Sequence, residues 1–106
     1  MEAAGPHCWV SVHHDADATR LEAGGELSSE SRDVLRDAID DVFSDGIATE
    51  LVIDLRHVSF MDSTGLHLAV LLPAARAHDQ GRAVRVFPNE TVRDKLTLAG
   101  LTHLVQ

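Results

Sequence analysis

The chain has 106 residues, 44% of them apolar and 25% charged, with a formal net charge of −8 and a single cysteine. This length suits one domain with its own hydrophobic core, and the composition is that of a soluble globular protein. The acidic balance argues against direct nucleic-acid binding, which needs a basic surface, and the longest apolar run, the eight residues Leu68 to Ala75, falls far short of the roughly 20 that span a bilayer.

The opening MEAAGPH has an acid where a secretory signal carries basic residues, and no apolar stretch follows it, so a cytoplasmic location without membrane contact is expected. Residues 1–7 read as a flexible tail ahead of a single domain spanning 1–106. Cys8 has no internal disulfide partner and reads as a small buried side chain in a reducing compartment.

Cys8 to His14 alternates as a strand, with Cys8, Val10 and Val12 on one face. After the polar turn HDADA, TRLEAGGEL reads as a weaker second strand ending at Gly24 and Gly25, joined to the first as a hairpin. A helix follows, capped by Ser28 or Ser29 and stopped at Gly46, with Val34, Leu35, Ala38, Ile39, Val42 and Phe43 on one stripe. Its span from Ser29 to Asp45 holds six acids and two arginines, half of the net charge, on what reads as a solvated face.

Leu51 to Leu55 is a run of strand formers apolar on both faces, as in the centre of a parallel sheet. RHVSFMDS then reads as a loop, and TGLHLAVLLPAARAHDQG as a helix that is apolar almost all round and therefore the most buried, with Pro73 expected to kink or interrupt it. Arg82 to Phe87 reads as a strand, stopped by Pro88. Asn89 caps a last helix with Val92, Leu96 and Leu98 or Ala99 inward and Gly100 as its stop, and LTHLVQ reads as a final short strand. The expected fold is α/β: a mixed, mostly parallel sheet of about five strands with helices packed against it.

Within HVSFMDSTGL, His57 to Leu66, three consecutive residues favour the helix N-cap, although a helix has one such position. A buried strand, a loop and then DSTG put Ser63 at a helix entry, where first-turn N–H groups have no intrahelical partner. A phosphate on Ser63 would meet those donors and the positive end of the helix dipole, and would add roughly two negative charges in one step. Asp62 next to it would sharpen the change. By itself DSTG also reads as nothing more than a capped helix start.

The longer string ELVIDLRHVSFMDSTGLHLAVLL resembles the core signature of STAS domains, in particular the bacterial anti-sigma factor antagonists. The resemblance includes GEL at Gly25 to Leu27 and RVFPNETVRDKLTLAGL, and covers roughly residues 8–106. It implies a chain that sequesters an anti-sigma factor, itself a serine kinase, and so frees a sigma factor. It implies phosphorylation of Ser63 by that kinase and restoration by a metal-dependent serine phosphatase. Ser59, Phe60, Met61, Asp62, Thr64, Gly65, Leu66 and His67 would then form the phosphorylation loop and docking face, with Glu26, Ser28 and Asp54 as possible loop neighbours. Ser28 stands where many members of the family have Asp, and Gln106 stands where the family usually continues into a closing helix.

Other readings are weaker. Ser63 and His67 are four apart on a helix and Asp62 or Asp54 could complete a triad, but MDSTG lacks the leading glycine of a nucleophile elbow. The seven histidines, at 7, 13, 14, 57, 67, 78 and 103, show no metal-ligand spacing, and no glycine-rich phosphate loop is present, so no metal or cofactor is expected. The main alternative is a STAS scaffold or ligand-binding module without a phosphorylation switch.

Overall fold

The structure, a computed structural model, describes residues 1–44 and 49–106. The helix stop expected at Gly46 lies outside the described residues. Five strands form one sheet in the order β1 (Glu2–Ala4), β2 (Cys8–His14), β3 (Ala18–Leu27), β4 (Glu50–Met61) and β5 (Ala83–Pro88). The β1–β2 and β2–β3 pairs are antiparallel, whereas β3–β4 and β4–β5 are parallel.

The α/β class and the five strands agree with the sequence, but two strands differ. Residues 1–7 are not a tail throughout: Glu2–Ala4 pairs with Trp9–Ser11, and Met1 exchanges two backbone hydrogen bonds with Val12. At the other end LTHLVQ forms a tight turn at Thr102–Leu104, and only Val105 bridges to Val86. The extra antiparallel pair and the missing parallel one leave the two pairings equal in number.

Strand alternation separates two faces. Val10, Val12, Leu21, Ala23, Leu51, Ile53, Leu55 and Val86 turn to one face, and the helices cover it. Leu35, Ala38 and Val42 of α1 (Arg32–Val42) join this core, as the stripe predicts; Val34 and Phe43 pack at its margin. Val92 and Leu96 of α4 (Glu90–Leu98) join it too, but Leu98 is 87% exposed and Ala99 is exposed, so neither is the third inward residue. Trp9, Arg20, Glu22, Asp54, Arg85 and Phe87 stand on the opposite face.

The central helical run begins as α2 (Ser63–Leu66), continues through a wider π-helical stretch, His67–Leu71, and ends as α3 (Leu72–Asp79). Pro73 does not interrupt it. The Leu72 N–H donates to the His67 carbonyl five residues back, and this wide turn just before Pro73 makes room for a ring that would otherwise meet a carbonyl of the preceding turn. Leu68, Ala69, Val70, Pro73 and Ala77 are buried, but Leu71 is 38% exposed: with helices on one face only, this run has an outer side.

Candidate functional site

Parallel strands bring three helix starts to one edge of the sheet. Leu27 of β3 leads to Ser28, Met61 of β4 to Asp62 and Pro88 of β5 to Asn89, and each of those three side chains accepts a hydrogen bond from a first-turn N–H. Ser28 Oγ accepts from Glu30 N–H, and Ser31 Oγ accepts from Ser28 N–H in return. Between Ser28 and Ser29 this reciprocal cap falls to Ser28, and what it caps is the 3-10 turn Ser29–Ser31 that leads into α1, whose own N-cap position, Ser31, makes no side-chain cap bond.

The residues expected to be a loop, 56–61, instead extend β4 to Met61, because the strand keeps pairing with Gly24–Leu27 of β3 through two register shifts. The extension holds the start of α2 in place. Leu27 O accepts the Asp62 N–H at 3.1 Å, so that start is tied to the end of β3. Gly65 sits against the same backbone: a Cβ there would lie 2.2 Å from Leu27 O and 2.7 Å from Leu27 C. Only a residue without a side chain permits this approach.

The three capping candidates divide their tasks. Asp62 is the N-cap, with Oδ1 accepting the Gly65 N–H at 2.8 Å. Ser63 is exposed, and its hydroxyl makes no hydrogen bond among the described residues. Thr64 is half-buried. The cap is therefore complete without Ser63, which leaves an uncommitted hydroxyl at the surface.

The remaining expected site residues fall into three groups. Ser59, Phe60 and His67 are exposed, Phe60 at 46%, and Leu66 is half-buried. Met61 and Gly65 are buried, so they shape the segment from within and present no side chain to a partner. Glu26 pairs with Phe60 across β3–β4, and Ser28 follows the Leu27 carbonyl that holds Asp62, so both border the loop.

Asp54 does not border it. It lies eight residues earlier on the extended strand, on the order of 25 Å away. Only 3% exposed, it accepts hydrogen bonds from Arg56 at 3.0 and 2.7 Å, with Arg20 at 3.5 Å. The Arg56 hydrogen bonds hold its carboxyl below the usual carboxylate range, against the opposing effect of burial. Asp54 is a fixture of the open sheet face, and Asp62 is engaged on Gly65, so neither meets a Ser63–His67 pair.

The sequence reading missed two residues. Arg32 and Arg36 of α1 line a shallow hollow of about 300 Å³ together with Ser63, Thr64, His67 and Leu68. Their i, i+4 spacing beside the apolar stripe of α1 was a usable signal, but only packing shows that this side of α1 meets α2. Among the described residues no group of three or more His, Cys, Asp and Glu could hold a metal ion, and no helix is long and apolar enough to cross a membrane.

Comparison with known proteins agrees with this geometry. A family model described as "Mlab, STAS domain" matches residues 10–106. The chain belongs to the STAS domain family. Among solved structures, the anti-sigma factor antagonist SpoIIAA in its unphosphorylated form is similar over 92% of this chain and 85% of its own, with 22% identity and a TM-score of 0.77. An anti-sigma factor antagonist from Mycobacterium paratuberculosis gives 24% identity and a TM-score of 0.75, over 95% and 86% of the two chains. The Bacillus cell fate determinant SpoIIAA in its phosphorylated form gives 21% and 0.70, over 92% and 88%. At these identities the likeness shows a shared STAS fold. No curated protein matches the chain.

Proposed function

We propose that this protein is an anti-sigma factor antagonist: it binds an anti-sigma serine kinase, which releases a sigma factor, and phosphorylation of Ser63 switches it off. The observation that carries this reading is the exposed Ser63 hydroxyl beside a cap that Asp62 completes without it. A kinase can reach such a hydroxyl and modify it without dismantling the helix start. The solved antagonists with this fold, in phosphorylated and unphosphorylated form, support the same assignment.

The protein is then a binding module rather than an enzyme. Unphosphorylated chain occupies the kinase by mass action. A phosphate opposes docking because its charge must be desolvated at the interface. Ser59, Phe60, Asp62, Thr64, Leu66 and His67 flank the hydroxyl on the docking face, and a metal-dependent serine phosphatase resets the switch. No nucleic acid or membrane takes part.

The test is mass spectrometry after incubation with ATP and candidate anti-sigma kinases. One phosphate on Ser63, absent from Ser63→Ala, is expected, with Ser63→Ala binding the kinase constitutively and Ser63→Asp binding it more weakly. Binding without any phosphate transfer would favour a scaffold role for the domain.

A further inference from the structure

We infer that Arg32 and Arg36 form a phosphate clamp in cis: once Ser63 is phosphorylated, the two guanidinium groups hold its phosphate in the hollow between α1 and α2. The inference rests on Ser63 being the phosphoacceptor, and it concerns how the modified state is held. Arg32 and Arg36 line the same hollow as Ser63, with His67 on the α2 side. Its volume, about 300 Å³, admits a phosphate group with room for water.

The distribution of cations gives the hollow its meaning. Among the described residues three of the nine basic side chains, Arg20, Arg56 and Arg85, meet a carboxylate, and Arg32 and Arg36 differ from the other unpaired cations in lining the hollow together with Ser63. Arg20 and Arg56 converge on Asp54, Arg85 pairs with Glu50, and Arg76 and Arg82 lie over the ring of Phe43. Arg32 and Arg36 make no ion pair among the described residues, although Asp33, Asp37 and Asp40 share their helix. Asp62, the acid nearest Ser63 in sequence, is engaged on the Gly65 N–H.

Two planar, permanently charged forks on one helix face match the oxygens of a phosphate monoester, which accept paired N–H donors. The predicted sign of the effect is therefore the reverse of simple repulsion. Adding roughly two charges to a chain of net −8 beside Asp62 would weaken the fold, whereas a clamped phosphate cross-braces α1 to α2 and strengthens it. The clamp also withdraws both guanidinium groups from any partner that would use them.

The experiment uses the full chain with phosphoserine installed at position 63 during translation, so that no kinase is needed. Thermal midpoints are compared for modified and unmodified chains, in the wild type and in Arg32→Gln/Arg36→Gln, at low and high salt. The phosphate is expected to raise the wild-type midpoint by about 4–8 °C at low salt, less at high salt, and to lower that of the double variant. A ³¹P titration gives a second readout, with the phosphate losing its last proton at lower pH in the wild type than in the variant. Equal midpoint changes and equal titrations in both backgrounds would overturn the clamp and leave the switch at Ser63 standing. A chain that no anti-sigma kinase phosphorylates, but whose installed phosphoserine behaves as expected, would overturn the switch and leave the clamp standing.

Discussion

The helix starts at Asp62 and Asn89 use the same device at the same edge of the sheet, with different results. At Asn89 everything is committed to the fold: Oδ1 accepts the Val92 N–H at 2.9 Å, and Nδ2 donates to the carbonyls of Arg56 and Val58 on β4. The residue three beyond the cap, Val92, is a fully buried core side chain. At Asp62 the corresponding residue is Gly65, pressed on the Leu27 backbone, and the residue just after the cap carries a free hydroxyl. One start anchors a helix. The other anchors a helix and leaves an exposed hydroxyl beside the anchor.

The comparison is most readily broken at the third residue. A side chain at Gly65 must displace the Leu27 backbone or the helix start, so Gly65→Ala should destabilise the protein by about 2–3 kcal/mol, measured by urea unfolding. Val92→Ala empties core volume instead and leaves the Asn89 cap in place. Hydrogen exchange should separate the two: Gly65→Ala exposes the amides of Asp62 and Gly65, and Val92→Ala leaves them protected.

The caps themselves come next. Asn89→Ala removes three hydrogen bonds, two that join the α4 start to β4 and one that caps the helix, at a cost of about 2 kcal/mol, whereas Asp62→Ala removes one and should cost about 1 kcal/mol. Equal losses would mean that the two starts are not differently committed.

The Asn89 side also borders an acid-sensitive network, because the Arg56 whose carbonyl Asn89 holds is the residue that grips Asp54. Asp54 titrates at lower pH in the folded chain than in the unfolded one. Its contribution is therefore full above the unfolded carboxylate pKa of about 4, and is lost as pH falls through that value towards the lower folded one. Solvent screening of the half-exposed arginines keeps it modest. Asp54→Asn should flatten the fall in stability below about pH 5, and an unchanged acid limb would show that other carboxylates govern it.

These contrasts mark what could be read from residues alone. The stripe of α1, the β2–β3 hairpin and the cap at Asn89 follow from local periodicity and side-chain chemistry, and the structure agrees with each, whereas the choices of Ser28 over Ser29 and of Asp62 over Ser63 and Thr64 come from the structure. What local rules missed depends on pairing and packing. RHVSF has the polarity of a loop but extends β4 because β3 runs alongside it. Glu2–Ala4 is a strand only because β2 offers an edge, and Leu98 has the helical phase of a core residue but nothing to cover it. At the site the hydroxyl was legible and the cap was narrowed to Asp62, Ser63 and Thr64, since all lie in four consecutive residues, but which of the three caps the helix was not. Arg32 and Arg36 were not, since about 30 residues separate them from Ser63 and only the docking of α1 on the central helix brings them to it.

The smallest expected effect bears most directly on function. If Asp62 alone caps α2, Ser63→Ala removes a hydroxyl that holds nothing, and stability should stay within about 0.5 kcal/mol of the wild type. The same substitution at an N-cap serine costs about 1 kcal/mol, and Ser28→Ala provides that control in the same chain, because Ser28 Oγ accepts the Glu30 N–H. A loss at Ser63 as large as at Ser28 would make its hydroxyl part of the helix start, and would end the contrast with Asn89. A negligible loss together with a lost phosphate would separate the two tasks cleanly: Asp62 would hold the backbone and Ser63 would carry the signal.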